Sequence, residues 1–182
     1  MALLRLFFAV PVAAGTVPSL NALHPLLSRQ SGWRAPSKTS WHVTVAFLGN
    51  IDAALLPQLQ EWGREAAANT RAGRIALTHL EWWPSAHRPR LLVATGDADC
   101  ALAQLQHTLN TRLAQEQLPC DTRPLRPHLT LARLQRGAKP LNPLPACDES
   151  VAIDRLALYR SDPGSRGATS TYTVIWRHDL PG

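Results

Sequence analysis

Two stretches of this chain carry the same pattern, SWHVTVAFLGN (40–50) and RPHLTLARL (126–134). In each, a histidine and a threonine stand two positions apart inside an apolar, β-branched run. Alternate side chains of a strand point to one face. His42 and Thr44 therefore share a face, with Val43, Val45 and Phe47 on the other; His128 and Thr130 likewise oppose Leu129 and Leu131. Each strand has an apolar side to bury and a side that presents one imidazole and one hydroxyl. A lone His-x-Thr is an ordinary half-exposed polar pair. Two copies, 128 − 42 = 86 residues apart in a chain of 182, point to something else. They predict two related lobes, packed about an approximate two-fold axis, with the imidazoles opposed across a central cleft.

The rest of the chain fits that plan. Strand patterns cover Leu3 to Val12, Ser40 to Leu48, Arg74 to Trp82, Arg90 to Thr95, Pro127 to Leu134, Val151 to Tyr159 and Tyr172 to Trp176. Three helices intervene. Thr16 and Pro18 read as the cap and first turn of one carrying Leu20, Leu23 and Leu27. Asp52 caps a second, with Leu55, Leu59, Trp62 and Ala66, that Pro57 and Gly63 would kink or shorten. Asp97 or Asp99 caps the third, whose Leu102, Leu105, Leu109 and Leu113 form one apolar stripe. Without strict β-α alternation, the expectation is α+β with mainly antiparallel sheets. No linker divides the chain, so residues 1–182 are expected to form one bilobal domain.

Composition narrows the partners. Nineteen Lys and Arg against thirteen Asp and Glu leave a net charge of +6, and only Lys38 and Lys139 are lysines. Arginine grips phosphate bidentately, which favours an anionic partner, although GC-rich coding yields the same bias. The three cysteines, Cys100, Cys120 and Cys147, have neither disulfide-framework nor zinc spacing, which favours a reducing, cytoplasmic setting. The opening MALLRLFFAVPVAAG has the apolar core of a signal peptide. Its basic start is thin and Pro11 interrupts it, so a buried first strand is the better reading. It is too short to span a bilayer, and no membrane partner is expected.

Opposed histidines have a definite use in displacement at phosphorus. A neutral imidazole takes the proton of the attacking oxygen while an imidazolium protonates the departing one. Their unperturbed pKa near neutrality suits both tasks. The hydroxyls of Thr44 and Thr130 can donate to the non-bridging oxygens, where charge builds in the transition state. A zinc site is the competing use of two histidines, but hydroxyls are poor zinc ligands.

These residues resemble the two-histidine (2H) phosphoesterase superfamily, whose signature is a pair of His-x-Thr/Ser-hydrophobic motifs. Within it the chain is most similar to bacterial RNA 2′,3′-cyclic phosphodiesterases, also called 2′-5′ RNA ligases. The likeness runs through RLFFAVPV (5–12), WHVTVAFLGNID (41–52), LPCDTRPLRPHLTLARL (118–134) and IDRLALYRS (153–161). It implies a bilobal α+β fold and hydrolysis of the 2′,3′-cyclic phosphate on RNA ends to a 2′-phosphate, with no cofactor and no metal. It also implies that His42 is the proton donor and His128 the acceptor. The residues alone leave that direction open, since the motifs are equivalent in type. The expected form is a monomer.

Further candidates follow from position. Arg126 has the parity of His128 and Thr130 and is expected to contact substrate phosphate, provided Pro127 does not disturb the register. Arg133 has the opposite parity and is placed on the outer face unless a bulge intervenes. Tyr159 and Arg160 close a strand beside a loop and are placed in ordinary packing and solvation or against substrate. Among Trp33, Trp41, Trp82, Trp83 and Phe47, one or two are expected to line the cleft and stack on a base, the others to be core. His24, His79, His87, His107 and His178 lack a partner motif. The loop SDPGSRGATS (161–170), with Arg166, reads as a flap over RNA or a plain hairpin connection. Two rivals remain. One is another 2H phosphoesterase, acting on a small cyclic nucleotide phosphate or joining 2′-5′ ends reversibly. The other is an RNA-binding module without turnover.

Overall fold

The computed structural model describes residues 2–121, 123–164 and 170–182. An apolar first strand, β1 (Leu3–Pro11), lies between two antiparallel neighbours. β1 pairs with β3 (His42–Asp52) on one side and β9 (Arg155–Asp162) on the other, and β10 (Thr171–Asp179) closes that edge. β3 also meets β7 (His128–Leu134), followed by β6 (Leu91–Thr95) and β5 (His79–Trp83); the two-residue β2 (Trp33–Arg34) pairs with β7. The order is β10-β9-β1-β3-β7-β6-β5, with every pairing antiparallel. The two sides of this sheet are the two lobes expected from the doubled motif, and the fold is α+β as its pattern required.

Two sequence runs that read as single strands are each split. β4 (Gly73–Leu77) pairs with β8 (Glu149–Ile153) in a second, two-stranded sheet, while their continuations β5 and β9 belong to the large one. The chain changes sheet at Thr78, whose N–H donates to the Thr95 carbonyl, and again at Asp154. Periodicity alone carries no signal for such a corner, because the alternation continues through it.

Helices α1 (Pro18–Arg29), α2 (Leu56–Ala68) and α3 (Cys100–Gln115) bury the predicted stripes. α1 packs on β2 and β7, α2 on β9 and β10, and α3 on α2, β3 and β4. Caps differ in detail. Asp52 accepts from the Ala54 N–H at 3.1 Å, starting a short 3-10 turn ahead of α2. Asp99 occupies the cap position of α3 but its side chain makes no capping bond. The cap of α1 is Val17; Thr16 turns back to the Ala13 carbonyl instead. Pro57 lies in the first turn of α2, where its missing N–H costs nothing. Gly63 marks a close approach rather than a kink: a Cβ there would stand 2.7 Å from the Trp176 ring and 2.9 Å from Phe8.

One sheet face therefore faces the helices and holds the core, including Leu6, Phe8, Val10, Val43, Leu129 and Leu131. The other face is the cleft.

Candidate active site

The two motifs meet at one point. β3 and β7 pair through a single register partner, Val43↔Leu129. Both of those side chains are fully buried. Continuing the antiparallel register one residue each way sets His42 against Thr130 and Thr44 against His128. The local two-fold axis thus passes through the seam between the lobes. All four polar side chains emerge on the opposite face, where they line a cleft of about 870 Å³, a size typical of ligand sites.

Each imidazole is fixed in the same way. His42 Nδ1 lies 2.7 Å from the Ser40 carbonyl, and His128 Nδ1 lies 3.0 Å from the Arg126 carbonyl, both two residues upstream. A carbonyl only accepts, so Nδ1 carries the proton in each neutral ring and Nε2 is the free nitrogen.

Their surroundings differ. His42 sits in an aromatic cage, with ring centroids 4.9 Å from Phe7, 5.3 Å from Tyr159 and 5.2 Å from Tyr172. Phe7 and Tyr159 are themselves stacked, 5.1 Å apart. Burial pushes the His42 pKa down to about 4, against the opposing pull of the Ser40 carbonyl; His128 and Arg133 lower it further. His128 packs against Trp83 at 4.4 Å. Its pKa is also lowered, first by burial and then by the Arg126 and Arg133 cations, while the Arg126 carbonyl works against them. The Tyr159 phenol is pushed up to about 12 by burial, so it stays neutral.

Arg133 lines the cleft rather than the outer face. The β6–β7 register runs Val93↔Thr130 and then Leu92↔Ala132, leaving Leu131 as an extra residue. This bulge reverses the alternation beyond it, so Leu131 and Ala132 are both buried and Arg133 returns to the side of His128. β3 has the same irregularity: Ala9↔Thr44 is followed by Phe8↔Ala46, leaving Val45 over. Phe47 consequently lies on the cleft face, 46% exposed, with the Arg5 guanidinium 5.0 Å from its ring centre. The parity that put Phe47 and Arg133 opposite their histidines holds only up to the bulge.

Arg126 precedes β7, so strand parity does not govern it. Its guanidinium pairs with Glu81 and lies 5.1 Å over Trp83, and it is not among the residues lining the cleft. Its backbone carbonyl, rather than its side chain, is what His128 uses. Arg160 lines the cleft and bonds Asp162 at 2.9 Å. Trp33 and Trp82 are core, edge to face at 5.4 Å, whereas Trp41 borders the cleft from a buried position. None of His24, His79, His87, His107 or His178 lines it. Arg166 lies outside the described residues. Sequence reasoning missed Arg5, Phe7, Arg34 and Tyr172, all cleft residues. The alternation Arg5, Phe7, Ala9 was the available signal for the first two.

The lining arginines are Arg5, Arg34, Arg133 and Arg160, and the lining carboxylate is Asp162, a balance of 4 − 1 = +3. Among the described residues no group of three or more His, Cys, Asp or Glu is arranged to hold a metal, and no helix is long and apolar enough to cross a membrane. The cleft presents two imidazoles able to transfer protons, together with two hydroxyls and a guanidinium able to donate to an anion.

Comparison with known proteins identifies the family and the fold. The family model described as the 2′-5′ RNA ligase superfamily matches residues 19–165. The RNA 2′,3′-cyclic phosphodiesterase of Thermus thermophilus is 28% identical, over 98% of this chain and 91% of its own. The protein of that name from Geobacillus stearothermophilus is 25% identical over 86% of this chain; the chain spans about half of it, 52%. Among solved structures, E. coli LigT complexed with 3′-AMP superposes with a TM-score of 0.79 at 22% identity, covering 98% of this chain and 99% of that one.

Proposed function

The chain belongs to the 2′-5′ RNA ligase superfamily, and from that premise we propose that it hydrolyses the 2′,3′-cyclic phosphate of an RNA end to a 2′-phosphate. The observation that carries the reading is the Val43↔Leu129 seam, about which the two His-x-Thr sets share one cleft. Relatives named RNA 2′,3′-cyclic phosphodiesterase support it, and the LigT fold solved with 3′-AMP supports a nucleotide occupant.

In this mechanism His128 Nε2 takes a proton from water as its oxygen forms a bond to phosphorus. The bond from phosphorus to the 3′ oxygen breaks, and His42 Nε2 delivers a proton to that oxygen. Phosphate remains on the 2′ oxygen. Thr44, Thr130 and Arg133 hold the non-bridging oxygens, where negative charge grows. Phe47, on the same face, offers a ring on which the terminal base stacks. The direction, with His42 as donor, follows the family resemblance.

The cage around His42 sets a condition on that role. A pKa of about 4 costs the imidazolium roughly 3 kcal/mol. The substrate phosphoryl anion offsets this, since an adjacent opposite charge favours the protonated ring. The free protein and its complex should therefore titrate differently. Catalysis needs one imidazole charged and one neutral, and both are depressed below 6.5 in the free protein. Above neutrality both are deprotonated, so kcat/KM should fall by about tenfold per pH unit. The kcat profile, set in the complex, should lie at higher pH. A kcat/KM that rises from pH 7 to 9 would contradict the assignment.

The reading is tested with an oligoribonucleotide ending in a 2′,3′-cyclic phosphate, incubated with protein in excess EDTA. Turnover to a 2′-phosphate end is expected. A 3′-phosphate product, or turnover only with an added divalent ion, overturns it. Thr44→Ala and Thr130→Ala are each expected to lower kcat by about 10²-fold, as for loss of one phosphoryl-oxygen donor.

A further inference from the structure

Arg34 sits in the cleft with no task in the reaction just described. It belongs to β2, a strand of two residues whose partners on β7 are fixed: Trp33↔Leu134 and Arg34↔Arg133. Directly opposed residues of an antiparallel pair point to the same face. Trp33 is buried against Trp82 on the core side. Arg34 and Arg133 therefore emerge together on the cleft side, and both line the cleft.

Two guanidinium groups in directly opposed positions repel each other. Six arginines, Arg64, Arg112, Arg123, Arg126, Arg155 and Arg160, each meet a carboxylate. Among the described residues neither Arg34 nor Arg133 makes such a pair. Arg34 is nonetheless oriented. With the Gln135 amide turned so that its oxygen faces the guanidinium, that oxygen accepts from Nη2 at 2.6 Å and from Nε at 2.7 Å. A neutral amide fixes the fork without cancelling its charge, and among the described residues Nη1 has no hydrogen-bond partner. Along β7, Arg133 and its partner Arg34 stand three residues beyond Thr130, so Arg34 lies further along the cleft than the two His-x-Thr sets.

We propose that Arg34, held by Gln135 and paired in register with Arg133, is a second phosphate contact that takes the internucleotide phosphate on the 5′ side of the reacting nucleotide. The inference rests on the proposed function. It deepens that function by assigning a residue to the chain upstream of the reacting end, one phosphate away. Arg133 and Arg34 then form a two-phosphate ruler, in which the repulsion between them is relieved only when both anions are present.

The test compares binding of a 2′-phosphorylated dinucleotide with binding of a nucleoside 2′-phosphate, measured by calorimetry at fixed salt. Arg34→Ala is expected to weaken the dinucleotide by about tenfold to a hundredfold, the loss for a charge-assisted contact. It should leave the mononucleotide within about twofold of the native protein. A dinucleotide with a neutral methylphosphonate linkage should bind the native protein as weakly as the ordinary one binds Arg34→Ala, with no further loss in the variant. Arg34→Lys, which keeps the charge, should recover part of the affinity. Equal weakening of both ligands, or full affinity for the methylphosphonate, overturns the second contact. Turnover of the cyclic-phosphate end by the native protein is scored separately, because its absence sinks the phosphodiesterase reading and leaves the binding comparison to decide Arg34.

Discussion

His42→Ala and His128→Ala are each expected to lower kcat by about 10²–10⁴-fold, the usual contribution of a positioned acid or base, with the fold intact. Neither ring belongs to the core; both stand on the cleft face while their neighbours Val43 and Leu129 fill the interior. The two losses should not multiply in the double variant, because groups that act on one transition state share its stabilisation. A second substrate separates the roles. A phosphodiester with a 4-nitrophenolate leaving group needs no proton on departure. His42→Ala should regain most of its activity on that compound, and His128→Ala should not. The opposite pattern would exchange donor and acceptor, and full activity in either variant on the cyclic end would dismiss the pair.

Arg133→Met should produce the other large loss, about 10²–10³-fold in kcat/KM, as expected when a donor to the developing phosphoryl charge is removed. This substitution also has a signature that simple damage would not produce. The Arg133 cation lowers the pKa of both imidazoles. Removing a positive charge favours the protonated rings, so both pKa values rise and the fall of kcat/KM should begin at higher pH than in the native protein. Arg133→Lys keeps the charge and loses the fork. It should lose rate with its pH profile unmoved. An acid shift in Arg133→Met, or native activity, would contradict this account.

The contrast between Arg133 and Arg126 shows where sequence reasoning succeeds and stops. That His42, Thr44, His128 and Thr130 share one cleft face was readable because they lie on the regular part of their strands, before either bulge, where parity holds. Arg133 was misplaced because strict parity was carried through the bulge; the only trace of the extra residue in HLTLARL is the adjacent apolar pair Leu131-Ala132, where the alternation slips by one. Arg126 is absent from the cleft lining for the converse reason, having been assigned a strand parity in a segment that is not yet strand. The helices were legible from their leucine spacing, and their caps less so. Thr16 and Asp99 have the right residue type, but their side chains make no capping bond to the helix. The corners at Thr78 and Asp154 depend on which partner strand is nearest, a property of the folded chain. The cage around His42 draws Phe7, Tyr159 and Tyr172 from three strands, and only the tertiary register brings them to one ring.

The central claim is that imidazoles from the two halves of the chain serve a single phosphoryl group. It is tested most directly by following the ¹⁵N resonances of His42 and His128 while one equivalent of a nucleoside 2′-phosphate is added. Both Nε2 signals should move together at the same stoichiometry, and both rings should titrate at higher pH in the complex. A response confined to one ring, or two rings responding at different ligand ratios, would contradict it.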